Sequence, residues 1–266
     1  MKQNNEQNVA NLFTRYYERY WDSEFGDTAP AEFSDKERQV FSRYLNSQTK
    51  VLDLGCADGE HYGRYICQLV KEYHGVDISP VAVAKARQNG IEAIVHDLGQ
   101  SFPYPDEYFD LIICLEVLEH LFDPAFTVRE CARVLKDKGI MIVSVPNTVY
   151  FPTRIKFLLG RFHPGGGAKD EPWLAPHIRH FIKRSIENLF QKNGFRILQF
   201  MGKDSWLLLD LPFFKNILWQ GTARKLSKPF KFLEDAWPTL FASSFLIIVG
   251  VTQLHAQPCF IEYNTI

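Results

Sequence analysis

The chain has 266 residues, of which 46% are hydrophobic and 23% charged, and its formal net charge is -1. This is the composition of an ordinary globular protein, and it gives no general attraction to nucleic acid or to anionic membranes. The first residues, MKQNNEQNVA, lack the apolar core of a signal peptide, and no run approaches the ~18 apolar residues of a membrane span. The five cysteines form no C-x-x-C pair, which argues against a disulfide framework or a zinc cluster. We therefore expect a cytoplasmic protein.

The predicted elements, taken in chain order, alternate between strands and helices. Two aromatic-rich helical segments occupy residues 11–25 and 33–45. After them we predict strands at 50–55, 72–78, 91–96, 109–116, 139–147, 195–201 and 243–253, with helices at 61–70, 80–89, 125–135 and 185–193. Such an order is typical of an α/β protein. It predicts a Rossmann-like, doubly wound sheet of seven strands that is mostly parallel, with the last strand antiparallel.

The elements divide the chain into an N-terminal helical cap (1–48), a ligand-binding core (49–147), an insertion (148–183), the rest of the sheet (184–252) and a tail (253–266). The insertion is too long for a structureless connection, and we expect it to act as a lid on the substrate side.

Cationic or near-neutral donors surround Trp173 in this insertion. They suit an anionic or hydroxylated substrate, or they form a solvated basic face. These residues are Arg154, Lys156, Arg161, His163, Lys169, His177, Arg179 and His180. A second helical insertion, at 206–240, combines apolar clusters with lysines. We expect it to close the substrate pocket or to form a dimer contact, with a membrane surface as the alternative.

The stretch VLDLGCADGE puts a glycine loop, Gly55 to Gly59, at the end of the first predicted strand. Ligands of open parallel sheets bind beyond the carboxyl ends of the strands, beside this loop. A dinucleotide fingerprint needs glycine at positions 55, 57 and 60, but the sequence has Ala57 and Glu60 at the last two. The chain also has no phosphate loop of the Walker type. The loop therefore argues against NAD and against a nucleoside triphosphate.

Acidic residues at the ends of neighbouring strands narrow the choice of ligand. Asp77 ends the second strand, where a carboxylate accepts both hydroxyls of a ribose. Asp53 and Asp58 add negative charge, which repels a pyrophosphate and suits a cationic amino acid with a sulfonium. Asp97, at the end of the third strand, is positioned to accept from an adenine amino group, with Leu98 beside the ring. Together these positions indicate S-adenosylmethionine.

Five motifs resemble those of the class I S-adenosylmethionine-dependent methyltransferases: VLDLGCADGE, GVDIS, HDLGQ, PDEYFDLIICLEVLEHL and RVLKDKGIMIVSVPN. They follow the family's order between residues 49 and 147. The resemblance implies that the first motif holds the methionine end of the cofactor, the second the ribose and the third the adenine, while residues 116–120 face the methyl group. The cofactor-binding residues that it implies are Asp53, Gly55, Cys56, Ala57, Gly59, Asp77, Ile78, Asp97, Leu98, Leu115 and Glu116. Ala57 departs from the family, which usually has a third loop glycine there.

The string Glu-Val-Leu-Glu-His carries the predicted chemistry. His120 is the candidate base, because imidazole titrates near neutral pH, and we group it with Glu119 and His177 as catalytic residues. Glu116, Glu119 and His120 also have a spacing that suits a magnesium or manganese ion, with His177 or His180 as a fourth ligand. The string resembles that of ubiquinone-biosynthesis O-methyltransferases and of small-RNA 3′-end 2′-O-methyltransferases, in which such residues bind metal. Many relatives with the same string are taken to need none, so the sequence favours a metal-free site.

We expect an enzyme that methylates an oxygen or nitrogen of a small molecule, and two alternatives stay open. LLGRFHPGGG and PWLAPHI loosely resemble the MetW-like proteins of methionine biosynthesis. That resemblance allows a regulator that binds S-adenosylmethionine or S-adenosylhomocysteine together with a partner protein. The other alternative is a metal-dependent RNA 2′-O-methyltransferase, although the near-neutral charge argues against nucleic acid as a partner.

Overall fold

The computed structural model describes residues 34–160, 177–203 and 231–252. One sheet contains seven strands: β1 (Lys50–Leu54), β2 (Glu72–Asp77), β3 (Glu92–Val95), β4 (Phe109–Leu115), β5 (Leu135–Pro146), β6 (Phe195–Lys203) and β7 (Ser244–Val251). The helices of these ranges are α1 (Asp35–Tyr44), α2 (Gly63–Ile66), α3 (Pro80–Gln88), α4 (Pro124–Val134), α5 (Phe151–Leu158), α6 (Lys183–Lys192), α7 (Lys231–Ala236) and α8 (Pro238–Phe241).

Several predicted features lie outside the described residues. They are the helix at 11–25, the insertion residues Arg161, His163, Lys169 and Trp173, most of the second insertion, and the tail at 253–266. Within the described ranges, no helix is both long and apolar enough to cross a lipid bilayer.

The strand order is β3-β2-β1-β4-β5-β7-β6. The strands β1 to β5 pair in parallel, and β7 runs antiparallel to both β5 and β6. This confirms the predicted seven-stranded, mostly parallel sheet. The chain winds outward from β1 in one direction and from β4 in the other, so the carboxyl ends of these two strands border the crevice where such sheets bind ligands.

Both faces of the sheet are covered, which explains why its central strands are apolar along nearly their whole length. On one face, Val128 of α4 and Phe190 of α6 pack against strand residues that include Phe109 and Phe245. On the other face, α1 contributes Val40 and Phe41, and α3 contributes Val83 and Ala86, to a cluster with Val51, Ile113 and Ile248. The described part of α1 is therefore an integral part of the core.

Side-chain caps determine where three helices begin. The Oγ of Ser34 accepts from Glu37 N at 3.2 Å, and Glu37 Oε2 accepts from Ser34 N at 2.9 Å, which is a complete capping box for α1. Ser79 Oγ caps α3 by accepting from Ala82 N alone, and the Asp123 carboxylate caps α4; proline follows each of them in the first helical turn. These caps satisfy amides that have no partner within the helix.

The helix predicted at 61–70 is shorter in the structure, where α2 covers only Gly63–Ile66. Tyr62 precedes it and supplies no side-chain cap, and Gly63 weakens its first turn. A Cβ atom at Gly63 would lie 2.6 Å from Ile91 Cδ1. Close packing against Ile91 thus explains why residue 63 is glycine. The low helix propensity of this glycine in turn shortens α2.

Asn147 anchors α8 to the end of β5. It is 3% exposed, and its Nδ2 donates to Thr239 O at 3.1 Å and to Ala242 O at 2.8 Å, while its Oδ1 accepts from Val149 N at 3.2 Å. One side chain therefore satisfies backbone groups from two separate segments.

Replacing this side chain tests the anchor. Asn147→Ala leaves buried carbonyls without donors, so we expect the free energy of unfolding in urea to fall by ~1–3 kcal/mol. The matched control is Asn46→Ala at an exposed position, where Asn46 Oδ1 accepts only from Gln48 N. Equal unfolding free energies for the two variants would contradict the assigned role.

Candidate active site

The glycine loop folds back over the end of β2. Gly55 N donates to Val76 O at 2.8 Å, and Ala57 N donates to Asp77 Oδ2 at 3.0 Å. Gly55, Ala57 and Gly59 have φ angles of 70°, 52° and 73°, a left-handed conformation that disfavours residues other than glycine. Ala57, where the family usually has glycine, thus adopts the conformation that glycine tolerates best.

The two loop glycines also allow close packing. A Cβ atom at Gly55 would lie 2.6 Å from Val117 Cγ2, and one at Gly59 would lie 1.9 Å from Ile91 Cδ1. Larger residues at either position would therefore push the loop away from the sheet. The Cys56 thiol lies beneath the loop, 2.7 Å from a Cβ atom built at Gly75, and burial raises its pKa.

Asp77 connects the glycine loop to the start of α3, with one carboxylate oxygen bonded to each. Oδ2 accepts from Ala57 N, and Oδ1 accepts from Ser79 N at 2.9 Å. Burial raises the pKa of Asp77, and these backbone hydrogen bonds oppose the rise. Each oxygen has a second lone pair, so the carboxylate retains the capacity to accept from two hydroxyls. This donor–acceptor balance fits a ribose.

Asp53 lies below the loop in a drier environment. It is 6% exposed and accepts a hydrogen bond from the hydroxyl of Tyr73. Burial is the main reason that its pKa rises to about 7; the Tyr73 hydrogen bond opposes the rise, and the negative charge of Asp77 adds to it. A positively charged ligand would favour the ionised form of Asp53.

The remaining residues of the predicted cofactor set lie along the same edge of the sheet. Asp97 follows β3 and accepts from Gly99 N at 2.8 Å, which forms a tight turn. Leu98 is 7% exposed, and its carbonyl accepts from Thr127 Oγ1 at 3.0 Å. Ile78 follows β2 directly, and Leu115 is the half-buried last residue of β4. The predicted cofactor residues therefore follow four adjacent strands.

Glu116 is held in an unusual backbone conformation at the end of β4. Its φ is 55°, which is uncommon for glutamate. Glu116 N donates to Ser144 O at 3.0 Å, and Ser144 Oγ donates to Glu116 Oε1 at 2.7 Å. This reciprocal pair fixes the carboxyl group of Glu116 beside β5.

The turn Leu118–His120 and residue 177 form a compact group of side chains. His120 and His177 make an edge-to-face contact with ring centroids 4.8 Å apart, and His120 Nε2 lies 3.8 Å from Glu119 Oε1. One ligand atom from each of Glu119, His120 and His177 lies within 4.8 Å of the others. The structure therefore brings together the three residues that the sequence analysis grouped as catalytic.

The electrostatics of this group favour neutral side chains. Glu119 is 1% exposed, and neither carboxyl oxygen has a hydrogen-bond partner among the described residues. Burial, followed by the negative charge of Glu116, raises the pKa of Glu119 to about 9. Burial, together with the charges of His120 and His180, lowers the pKa of His177 to about 4.

Backbone hydrogen bonds hold the segment that contains His177 beside the turn that contains His120, although the two residues are far apart in the sequence. Ile178 N and Arg179 N donate to Glu119 O at 3.0 and 2.9 Å, and Arg179 Nη2 donates to Phe122 O. This contact directs His177 towards His120 and leaves His180 exposed. Of the two histidines considered as a fourth ligand, His177 is the one in the group.

Two charged residues that no motif includes also contribute to the site. Lys203 Nζ lies 2.8 Å from Glu37 Oε1, and the two side chains are 10% and 2% exposed. Burial raises the pKa of Glu116, and the positive charge of Lys203 opposes this rise. The capping-box pattern is the only sequence signal for Glu37, and Lys203 has none.

The raised pKa of Asp53 predicts a pH-dependent stability. The folded state retains a proton that the unfolded state releases above its pKa of 3.8, so this contribution to the unfolding free energy is full below about pH 4 and is lost as pH rises through about 7. Asp53→Asn removes the titration. As the pH rises from about 4 to about 7, we expect the free energy of unfolding of the variant to increase relative to that of wild type by up to ~4 kcal/mol, measured by urea denaturation. Asp106→Asn, at an exposed ion pair with Arg133, is the control, and parallel pH profiles for wild type and Asp53→Asn would contradict the assignment.

Comparisons with known proteins show the family of the chain. A family model described as a methyltransferase domain matches residues 15–200. A ubiquinone biosynthesis O-methyltransferase of Xanthomonas oryzae pv. oryzae is 30% identical over 191 residues, which cover 68% of this chain and 76% of that protein. A probable S-adenosylmethionine-dependent methyltransferase of Mycobacterium tuberculosis is 37% identical over 148 residues, or 54% of this chain and 48% of that protein. The match thus spans about half the length of the mycobacterial relative.

A solved structure supports the same fold. The crystal structure of a SAM-dependent methyltransferase from Archaeoglobus fulgidus superposes with a TM-score of 0.56 at 18% identity, covering 81% of this chain and 91% of that chain. At this identity the likeness shows the fold alone, whereas the family model covers well over half of the sequence. The chain therefore belongs to the methyltransferase-domain family, among the class I S-adenosylmethionine-dependent methyltransferases.

Proposed function

We propose that the protein transfers a methyl group from S-adenosylmethionine to a hydroxyl oxygen of a small-molecule acceptor. The observation that carries this proposal is the contact of His120 with His177 and Glu119 beside the predicted cofactor loop. A hydroxyl must lose its proton when it is methylated, and an imidazole such as that of His120 is a suitable general base for that step. The Xanthomonas relative, named as an O-methyltransferase, supports oxygen rather than nitrogen as the target.

In this proposal, separate residues bind the cofactor, orient the acceptor and receive its proton. S-adenosylmethionine, when bound, supplies a methyl group that is already activated for transfer. Asp77 accepts from the ribose hydroxyls, and Asp53 with Gly55 faces the methionine end. His120 orients the acceptor hydroxyl and receives its proton, and neutral His177 packs against the imidazole without adding a competing positive charge. Alignment of the reacting groups supplies most of the rate enhancement in a displacement of this kind.

A metal-dependent form of the same reaction is the second candidate. It is favoured by the group of Glu119, His120 and His177, whose ligand atoms lie within 4.8 Å of one another, and by the unpartnered carboxyl oxygens of Glu119 within the described residues. These residues fit a divalent cation, which would replace the proton on Glu119 and polarise an acceptor oxygen. The metal-free form remains the first choice, because burial raises the pKa of Glu119 and so favours a protonated carboxyl group, which is a poor metal ligand.

Transfer of labelled methyl into a fractionated cell extract tests the function. Label in the small-molecule fraction supports the proposal, and label in the nucleic-acid fraction would instead favour the RNA methyltransferase. No label from protein that still binds S-adenosylhomocysteine would favour the MetW-like regulator. Loss of transfer with a chelator, restored by magnesium or manganese, would select the metal-dependent form, and unchanged transfer would select the metal-free form.

The role of His120 predicts a specific kinetic defect. His120→Ala removes the base, so we expect the turnover number to fall ~100-fold or more while calorimetric affinity for S-adenosylhomocysteine is unchanged. Added imidazole should restore part of the activity. A turnover number within a few-fold of wild type would leave His120 with a packing role only.

The proposed role of Asp77 predicts a loss of cofactor affinity. Asp77→Ala removes the acceptor of the ribose hydroxyls, so we expect the binding free energy of S-adenosylhomocysteine to weaken by ~1–3 kcal/mol. The matched control is Asp110→Ala, because Asp110 lies at the amino-terminal end of β4 and pairs with Lys136. If both variants bind with wild-type affinity in calorimetry, Asp77 does not contact the cofactor.

A further inference from the structure

The carboxylate of Glu37 joins three parts of the described chain. Its Oε1 lies 2.8 Å from Lys203 Nζ and accepts from the Tyr62 hydroxyl at 3.1 Å. Its Oε2 accepts from the backbone N–H of Ser34 at 2.9 Å and from the Ser34 hydroxyl at 2.8 Å. One side chain from the first turn of α1 therefore contacts the end of β6 and the segment that follows the glycine loop.

Stability alone does not explain this arrangement. The Glu37 and Lys203 side chains are 2% and 10% exposed, and withdrawing two charges from water costs about as much as their attraction returns. Burial by itself would raise the pKa of Glu37, but the charge and hydrogen bonds of Lys203 and Ser34 outweigh burial and lower it. The ionised pair is therefore maintained by four directed contacts, which fix its geometry rather than add much to stability.

The cofactor side of this network is Tyr62. It lies three residues beyond Gly59, the last glycine of the loop, and its ring is 5.9 Å from the ring of Phe41 in α1. Arg64 N donates to Gly59 O at 2.9 Å, so the segment around Tyr62 is connected to the loop through the backbone. Hydrogen bonds therefore connect the loop, the segment that carries Tyr62 and the carboxylate of Glu37.

The acceptor side of the network is the carboxyl end of β6. Lys203 pairs with Ser244 of β7, which in turn pairs with Pro146 at the end of β5. The neighbouring residue of α1, Lys36, donates to Gly202 O at 2.7 Å. Two adjacent residues of α1, Lys36 and Glu37, thus hold the end of β6.

We propose that Glu37 is a positioning residue that couples ligand binding at the cofactor loop to the carboxyl end of β6. The Tyr62 hydroxyl connects the segment after the loop to Glu37, and Glu37 determines the position of the Lys203 ammonium at the end of β6. The inference rests on the cofactor assignment in the proposed function and is independent of whether methyl transfer occurs. The first turn of α1 would then link the cofactor loop to the carboxyl end of β6.

Hydrogen exchange measured by mass spectrometry, with and without saturating S-adenosylhomocysteine, tests the coupling. In wild type we expect the analogue to slow exchange of the amides of residues 200–203 by about 5-fold or more, the lower end of usual coupling strengths. In Glu37→Gln we expect this slowing to disappear, while calorimetry still detects binding of the analogue. Glu187→Gln, in a half-buried ion pair of α6 with Lys183, is the matched control and should retain the wild-type response.

A second variant is needed because Glu37→Gln leaves the buried Lys203 ammonium without its carboxylate partner, which can prevent folding. Tyr62→Phe removes one hydroxyl and keeps the ion pair, and we expect it also to abolish the slowing at 200–203. Tyr65→Phe, at a solvent-exposed tyrosine, is its control. Slowing that persists in Tyr62→Phe, or wild-type protein that binds the analogue without any slowing at 200–203, would overturn the coupling. Absence of analogue binding to wild type in calorimetry would overturn the cofactor assignment itself, and the coupling with it.

Discussion

Burial of carboxyl groups along one edge of the sheet is the constraint on which the site depends. Asp53, Asp77 and Glu119 are each less than a tenth exposed, and an ionised carboxylate loses hydration free energy there unless partners compensate it. Backbone amides compensate Asp77, and a tyrosine hydroxyl compensates Asp53. Glu119 has no such donor among the described residues, and burial raises its pKa, which favours its neutral form. A ligand with hydroxyl donors and positive charge matches this edge.

The second half of the site depends on backbone contacts between distant segments. The carbonyl of Glu119 receives two amides from residues 178 and 179, and the left-handed Glu116 is held by reciprocal hydrogen bonds with Ser144. Strained backbone at a functional site persists only where its surroundings determine it. Because these bonds involve main-chain atoms, the geometry around His120 tolerates many side-chain changes on the surface but not changes in the turn itself.

The first turn of α1 connects these two halves. Its capping box directs Glu37 inward instead of into solvent, and Lys203 provides the charge that makes burial of that carboxylate tolerable. A motif that usually only begins a helix thus contributes a buried anion to the site. The same turn holds Gly202 through Lys36, so the start of the described chain and the end of β6 behave as one structural unit.

The sequence by itself determined the sheet and the edge at which its acidic strand ends meet, because both follow from local patterns. Apolar runs, glycine and caps define the strands and helices, and acidic residues that follow parallel strands must meet at one edge. The shortened α2 is the local exception, since packing of Gly63 against Ile91 overrode the helical pattern. Only the tertiary structure decided that His177 rather than His180 contacts His120, and that Lys203 pairs with Glu37. Those contacts join residues far apart in the chain, and their geometry depends on strand pairing and segment docking that no local pattern encodes.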